Sequence, residues 1–154
     1  MTPKYTFKKA TPADAAVVAK IYLASRKAFV SFAPLVHSDA SVYSWILEVL
    51  IPADGVFILE EDGLAVGMMS LSKKHGVGWI DQLYLMPAAV GHGIGTLLIS
   101  EAKSILGSPI RLFTFQKNFG ARRFYERHAF QIVEFTDGSS NEEKCPDMIY
   151  EWRV

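Results

Sequence analysis

Glycines at positions 91, 93 and 95, interleaved with His92 and Ile94 and followed by Thr96, join the apolar run Leu83-Tyr84-Leu85-Met86-Pro87 to a segment with apolar residues at helical spacing. A strand that turns on glycines into a helix suits an anion. Glycine lets the backbone approach a ligand and take positive φ, while the first helical turn aims unpaired N–H groups and the positive end of its dipole at the same place. A pyrophosphate fits such a loop. The G-x-G-x-G spacing lacks both the G-x-G-x-x-G pattern and the later acidic residue of a dinucleotide site, and no Gly-Lys-Ser/Thr follows for a nucleoside triphosphate. A turn that merely connects strand to helix is the alternative reading. Asn118 and Tyr125 lie seven residues apart, which at about 100° per residue puts both on one helical face. Strand alternation predicts Asp81 on the same face as Leu83 and Leu85, leaning toward the strand end, where its carboxylate can take a proton from an amine directly or through water. A surface-turned or structurally paired aspartate fits the residue type equally.

Leu85-Met86-Pro87 with Gly91 to Leu98, and Gln116-Lys117-Asn118 with Ala121-Arg122-Arg123-Phe124-Tyr125-Glu126-Arg127-His128-Ala129-Phe130, resemble the two signature segments of the GNAT superfamily of acyl-CoA-dependent N-acyltransferases. The ending is also similar to bacterial members: a polar loop from Asp137 through Asn141-Glu142-Glu143-Lys144 and Pro146-Asp147 into Met148-Ile149-Tyr150-Glu151-Trp152. Val90 stands where the family usually has Arg or Gln, and Ala129 where it has Gly. The resemblance covers nearly the whole chain and implies an α+β GNAT fold: a mixed, mostly antiparallel sheet of about six to seven strands with about four helices.

It further implies acetyl-CoA as acyl donor and co-substrate, and direct transfer in a ternary complex to an amine of a small molecule or protein terminus. The donor would be held by Leu83 and Leu85 on the strand, by the loop from Val90 through Gly91, His92, Gly93, Ile94 and Gly95 to Thr96, and by Asn118 and Tyr125. Such a transfer needs a neutral amine, donors for the developing oxyanion and a proton for the departing thiolate. The family's matching tyrosine makes Tyr125 the proton donor, with an aromatic core residue as the alternative. The resemblance gives the oxyanion donor as the backbone N–H of Leu85, where the family's strand bulges. Asp81 is the candidate base. A non-catalytic acyl-CoA-binding or interaction module on the same fold is the competing reading, since a fold does not fix an activity.

Arg26, Phe29, Trp45 and Trp79 are candidates to shape the acceptor pocket, or simply core. Glu142 and Glu143 either border that pocket and favour a cationic acceptor or belong to a solvated loop. His92 is expected in solvent between its glycines, and His37, His75 and His128 have no spacing that suggests a metal or a triad. No metal site is expected.

The elements that must position these residues follow from pattern. A chain of 154 residues, 50% of them hydrophobic, supports one sizeable core, so a single domain over 1–154 is predicted. Sixteen basic and sixteen acidic residues cancel, and no Lys/Arg cluster points to nucleic acid or an anionic membrane. No apolar run approaches the ~18 residues of a membrane span, and a cytoplasmic protein is expected, with a homodimer compatible with all of this. The lone Cys145 reads as an exposed thiol.

Thr11-Pro12-Ala13-Asp14 caps a helix predicted to run to about Ser25, and Ser38-Asp39 opens a second, with Val42, Trp45, Ile46, Val49 and Leu50 on one face and Pro52 as its stop. Val56 to Leu59, Ala65 to Leu71 and Trp79 to Leu85 predict three antiparallel strands. A helix is predicted over Gly93 to Leu106 with Ile94, Leu97, Leu98, Ala102 and Ile105 inward. A strand over Ile110 to Phe115, a helix over Asn118 to His128, and closing strands over Phe130 to Thr136 and Met148 to Arg153 complete the order. This order is α+β, with room for one parallel pair at the centre.

Overall fold

The computed structural model describes residues 3–154. Its elements are β1 (Tyr5–Lys9), α1 (Ala15–Phe29), α2 (Asp39–Trp45), β2 (Val56–Glu61), β3 (Leu64–Lys74), β4 (Val77–Leu85), α3 (Ile94–Leu106), β5 (Ile110–Phe115), α4 (Phe119–Arg127), β6 (Gln131–Phe135) and β7 (Asp147–Trp152). The strands form one sheet in the order β1-β2-β3-β4-β5-β7-β6. Among the described residues, β4 and β5 are the one parallel pair. The mixed α+β architecture predicted from the sequence is therefore the one observed. Among the described residues, no helix is long and apolar enough to cross a membrane.

Each face of the sheet buries a different set of helices. One core joins Ile94, Leu98 and Ala102 of α3 and Tyr125 of α4 to Met69, Ile80, Leu112 and Tyr150. The other joins Val18 and Ile21 of α1 and Val42 and Ile46 around α2 to Val56, Ile58 and Met68. The faces are distinguished by strand alternation, and that alternation breaks once at the centre. Ser70 of β3 pairs with Gln82 of β4 but Leu71 pairs with Ile80, so Asp81 is an inserted, unpaired residue in β4. Ile80 and Leu83, three residues apart, consequently both pack on the α3 side, whereas Tyr84 packs toward α1. Asp81 does not share a face with Leu83 and Leu85: it falls with Trp79 on the opposite side.

Other expectations shift for local reasons. β1 was not predicted, because only Tyr5 and Phe7 alternate among polar residues on this edge strand. The first helix begins with a short 3₁₀ turn in which the Asp14 carboxylate accepts the Thr11 N–H at 2.8 Å, and it continues past Ser25 to Phe29. After α2, a wide π turn over Ile46–Leu50 rotates the helical phase, exposing Val49 and burying Ile51, so Pro52 sits inside the closing turn and does not terminate the helix. In α3, Leu106 is buried in place of Ile105.

The contact between α3 and α4 fixes the glycine loop relative to Tyr125. A Cβ at Gly95 would stand 2.8 Å from Cε1 of Phe124, so Gly95 is required by helix packing and not by approach of a ligand. Across the same contact Thr96 Oγ1 and His128 Nε2 lie 3.2 Å apart. At the end of α4, Ala129 takes φ 70, the left-handed conformation that explains why glycine is the family's residue there.

Two stability changes of opposite sign are expected, both read from urea midpoints. Ala129→Gly raises stability by about 1 kcal/mol by relieving the left-handed strain. Gly95→Ala lowers it by about 1–3 kcal/mol through overpacking, and combining it with Phe124→Leu recovers part of the loss. Additive effects in that double variant would exclude the ring as the cause.

Candidate functional site

The glycine loop leaves β4 through Met86 and a short 3₁₀ turn over Pro87–Ala89. Gly91 and Gly93 take φ 85 and 84, and a Cβ at either would meet nothing within 4 Å. Those two positions need glycine for conformation, and the space before them is open. The first helical bond of α3 runs from Leu97 N–H to Gly93 O at 3.2 Å, which leaves the N–H groups of Ile94, Gly95 and Thr96 without intrahelical partners. Three oriented donors on a helix N-terminus fit a pyrophosphate by chemistry as well as shape. The Ile94 side chain is buried in the core, His92 is exposed, and Val90 is 48% exposed at the rim, so the loop offers backbone and not side chains.

Beside this loop the sheet opens. The β4–β5 ladder consists of Gly78↔Ile110, Trp79↔Arg111 and Ile80↔Leu112 and then ends. Gly78 N–H donates toward β5, to Pro109 O at 3.0 Å, and uninterrupted alternation would send the N–H groups of Tyr84 and Met86 the same way. Met86 instead donates to Val66 O of β3 at 2.8 Å. The extra residue at Asp81 has reversed the parity, and the N–H groups of Leu83 and Leu85 therefore point into the gap. The expected bulge is at Asp81 and not at Leu85, which pairs regularly with Gly67. With this parity the Leu85 N–H faces the β5 side, where the ladder has already ended at Ile80.

Leu83, Leu85, Gly91, Gly93, Asn118 and Tyr125 all line one cleft of about 1160 Å³, together with Val90, Gly95 and Thr96. Asn118 caps α4, its Oδ1 accepting the Ala121 N–H at 3.2 Å. The Tyr125 ring packs against Phe124, Phe130 and Tyr150, with centroids at 5.3, 5.8 and 6.0 Å. Burial, and secondarily the Tyr84 phenol, push its hydroxyl above the ordinary tyrosine range. It stays protonated through neutral pH, so it can give a proton and cannot act as a base.

The cleft continues through the gap to the other face, where Asp81, Glu134, Glu143 and Asp147 contribute carboxylates. Asp81 is exposed. Asp147 is tied to the Thr136 hydroxyl and to Asn141 Nδ2, and Gln116 Nε2 donates to the Thr136 and Asp147 carbonyls at 2.9 Å, which fixes the loop between β6 and β7. Arg26, only 5% exposed, sits 3.7 Å from Glu143 Oε1 and over the Phe115 ring. Glu143 thus belongs to the cleft wall, whereas Glu142 is exposed and pairs with His37 at 2.6 Å. Phe29 lines the cleft, Trp79 lies in an adjoining groove, and Trp45 packs on Tyr22 in the α1–α2 core. Cys145 is buried with Val30 and Ala33, because Asn141 Oδ1 accepts its N–H and folds the segment inward.

Sequence reasoning passed over Tyr84, Phe113 and Glu134. For Phe113 the signal was present: alternation in Ile110–Phe115 buries Ile110 and Leu112 and turns this ring outward. For Tyr84 it was masked by the bulge.

Residues 21–130 match the model of the Acetyltransferase (GNAT) family. An uncharacterized N-acetyltransferase of Archaeoglobus fulgidus is 30% identical over 135 residues, spanning 80% of this chain and 90% of that protein. The PaiA N-acetyltransferase of Thermoplasma acidophilum, solved in complex with coenzyme A, superposes with a TM-score of 0.77 at 22% identity, covering 99% of this chain and 100% of the other. An Arabidopsis thaliana protein in complex with the bisubstrate analogue CoA-Ac-MVNAL gives a TM-score of 0.72 at 16% identity, with 99% and 100% covered. The chain belongs to the acetyltransferase (GNAT) family and is an N-acetyltransferase.

Proposed function

We propose that this protein transfers the acetyl group of acetyl-CoA directly to an amine of a small molecule or a peptide terminus, with both substrates bound together. The observation that carries the reading is the convergence, at one gap in the sheet, of the Leu85 N–H, the Tyr125 hydroxyl-bearing ring and the N-terminus of α3. The coenzyme A complex among similar structures supports the donor, and the bisubstrate complex supports a peptide as one class of acceptor.

In this mechanism acetyl-CoA supplies the thioester and a thiolate leaving group. The free N–H groups at the start of α3 bind the pyrophosphate. Leu85 N–H donates to the thioester oxygen as negative charge develops there, an interaction stronger in the transition state than before it. Asp81, on the far side of the gap, accepts the proton released by the attacking amine, directly or through water. Tyr125 donates its proton to the departing sulfur, from a site whose burial keeps that proton in place at neutral pH.

Donor binding should depend on backbone conformation at Gly93. Gly93→Val weakens acetyl-CoA binding at least about 10-fold by straining the left-handed turn and filling the cradle, whereas His92→Ala changes it less than about twofold. Calorimetry that finds parental affinity in Gly93→Val would sink the pyrophosphate assignment.

Tyr125→Phe keeps the ring in its packing and leaves acetyl-CoA affinity unchanged, yet lowers turnover by about 10- to 10,000-fold, the range for losing a general acid with partial replacement by water. The assay is thiol release with an amine panel. Parental rates in the variant, with chemistry shown to limit turnover, return Tyr125 to a purely structural role. No amine-dependent thiol release from the parent protein would overturn the proposed transfer itself.

A further inference from the structure

On the sheet face opposite α3, a second groove of about 390 Å³ runs along β4 from Asp81 to the β3–β4 turn. Its floor is a stacked aromatic pair, Trp79 of β4 and Phe113 of β5, with ring centroids 5.6 Å apart and planes 17° apart. The pair spans the two strands just where their ladder ends. Phe113 is 54% exposed, an unusual position for a phenylalanine that the fold could have buried or replaced with a polar residue. The groove is continuous with the cleft, because Ile80, Asp81 and Phe113 line both.

Charge is ordered along it. Asp81 stands at the inner end, the rings carry no charge, and Lys74 and His75 stand at the outer end, roughly 13 Å away along the strand. An occupant complementary to that order is cationic where it meets Asp81, apolar across the rings, and neutral or anionic at its far end. A compact amine would leave both rings in water, and a diamine with its second ammonium beyond the rings would bring that charge toward Lys74.

Resting on the acetyl-transfer reading above, we propose that this groove is the acceptor subsite, and that it selects primary amines carrying an aromatic or branched apolar body and no second cation. The amine nitrogen sits by Asp81 at the gap. The body stacks on Phe113 and Trp79, whose preformed face removes the need for a closing segment. The substrate class follows from the chemistry of the floor and the sign of its two ends.

The test is calorimetric binding of three amines to the protein saturated with coenzyme A: ethylamine, phenethylamine and 4-(2-aminoethyl)benzylamine, which has the same ring with a second ammonium beyond it. The parent protein is expected to bind phenethylamine about 10-fold more tightly than ethylamine, the gain for partly burying one ring, and to bind the ring-bearing diamine more weakly than phenethylamine. Phe113→Ala, whose ring lies outside both cores, should abolish the phenethylamine preference and leave coenzyme A affinity unchanged. Equal affinities in the parent, a preference that survives in Phe113→Ala, tightest binding of the diamine, or no binding of any of the three would each overturn the subsite. Thiol release from acetyl-CoA with the same amines separates the two readings. Release without the preference overturns the subsite alone, and the preference without release supports the subsite while overturning acetyl transfer.

Discussion

One inserted residue in the central strand governs the rest of the arrangement. Up to Ile80, β4 is paired on both edges. Beyond Asp81 it can satisfy β3 but not β5, because the extra residue reverses which backbone groups and which side chains point each way. A central strand with unpaired N–H groups is costly unless something else accepts those bonds, since a buried amide without a partner loses free energy comparable to a broken hydrogen bond. In the proposed transfer the thioester carbonyl offsets that cost. The same reversal sends Leu83 and Leu85 to the α3 core and Asp81 to the other face, so a single bulge separates the proposed oxyanion donor from the proposed base across the thickness of the sheet.

The electrostatics follow that separation. On the α3 side the cleft meets free amide donors at a helix N-terminus and a tyrosine held protonated by burial. On the far side it meets carboxylates from β4, β6 and the β6–β7 loop. In the proposed transfer an anionic donor and a cationic acceptor are drawn to opposite mouths of one passage, so that their reacting atoms meet where the two fields cross. Arg26 modifies this picture at Glu143. A guanidinium buried to 5% exposure, with Nε left without a partner, is expensive to desolvate, and its ion pair at 3.7 Å is loose. What it does accomplish is to tie the β6–β7 loop to α1, which fixes the acceptor mouth while withdrawing part of the charge of Glu143 from it.

How much of this was legible in the sequence depends on whether the information was local. The strand–glycine–helix transition at Leu85 to Leu98 and the Asn118 to Phe130 segment are written in contiguous residues, and the structure brings both to the same cleft. Period-2 and period-3.6 patterns gave most elements because each buries one clear face. They failed where the period itself changes: at Asp81, where a bulge adds a residue, and at Ile46–Leu50, where a π turn rotates the phase. Neither insertion leaves a mark on composition. β1 was illegible for another reason, since an edge strand with two aromatics beside one threonine and two lysines has little to bury. Cys145 misled because its burial depends on Asn141 hydrogen-bonding it inward, a tertiary event invisible in a polar run.

The three glycines of the loop show why identical residues in one motif need separate explanations. Gly91 and Gly93 are required by backbone sign, with open space before them. Gly95 has an ordinary helical backbone and is required by the Phe124 ring pressing on it. Because Tyr125 follows Phe124 directly, this one contact sets the separation between the helix N-terminus proposed to receive the pyrophosphate and the tyrosine proposed to protonate the departing sulfur. Phosphate and sulfur in the donor are joined by a chain of fixed maximum length, so their two sites must keep a matching distance. Packing at Gly95 supplies that constraint within the protein, and a larger residue would spread α3 from α4 and change the distance between the two proposed sites.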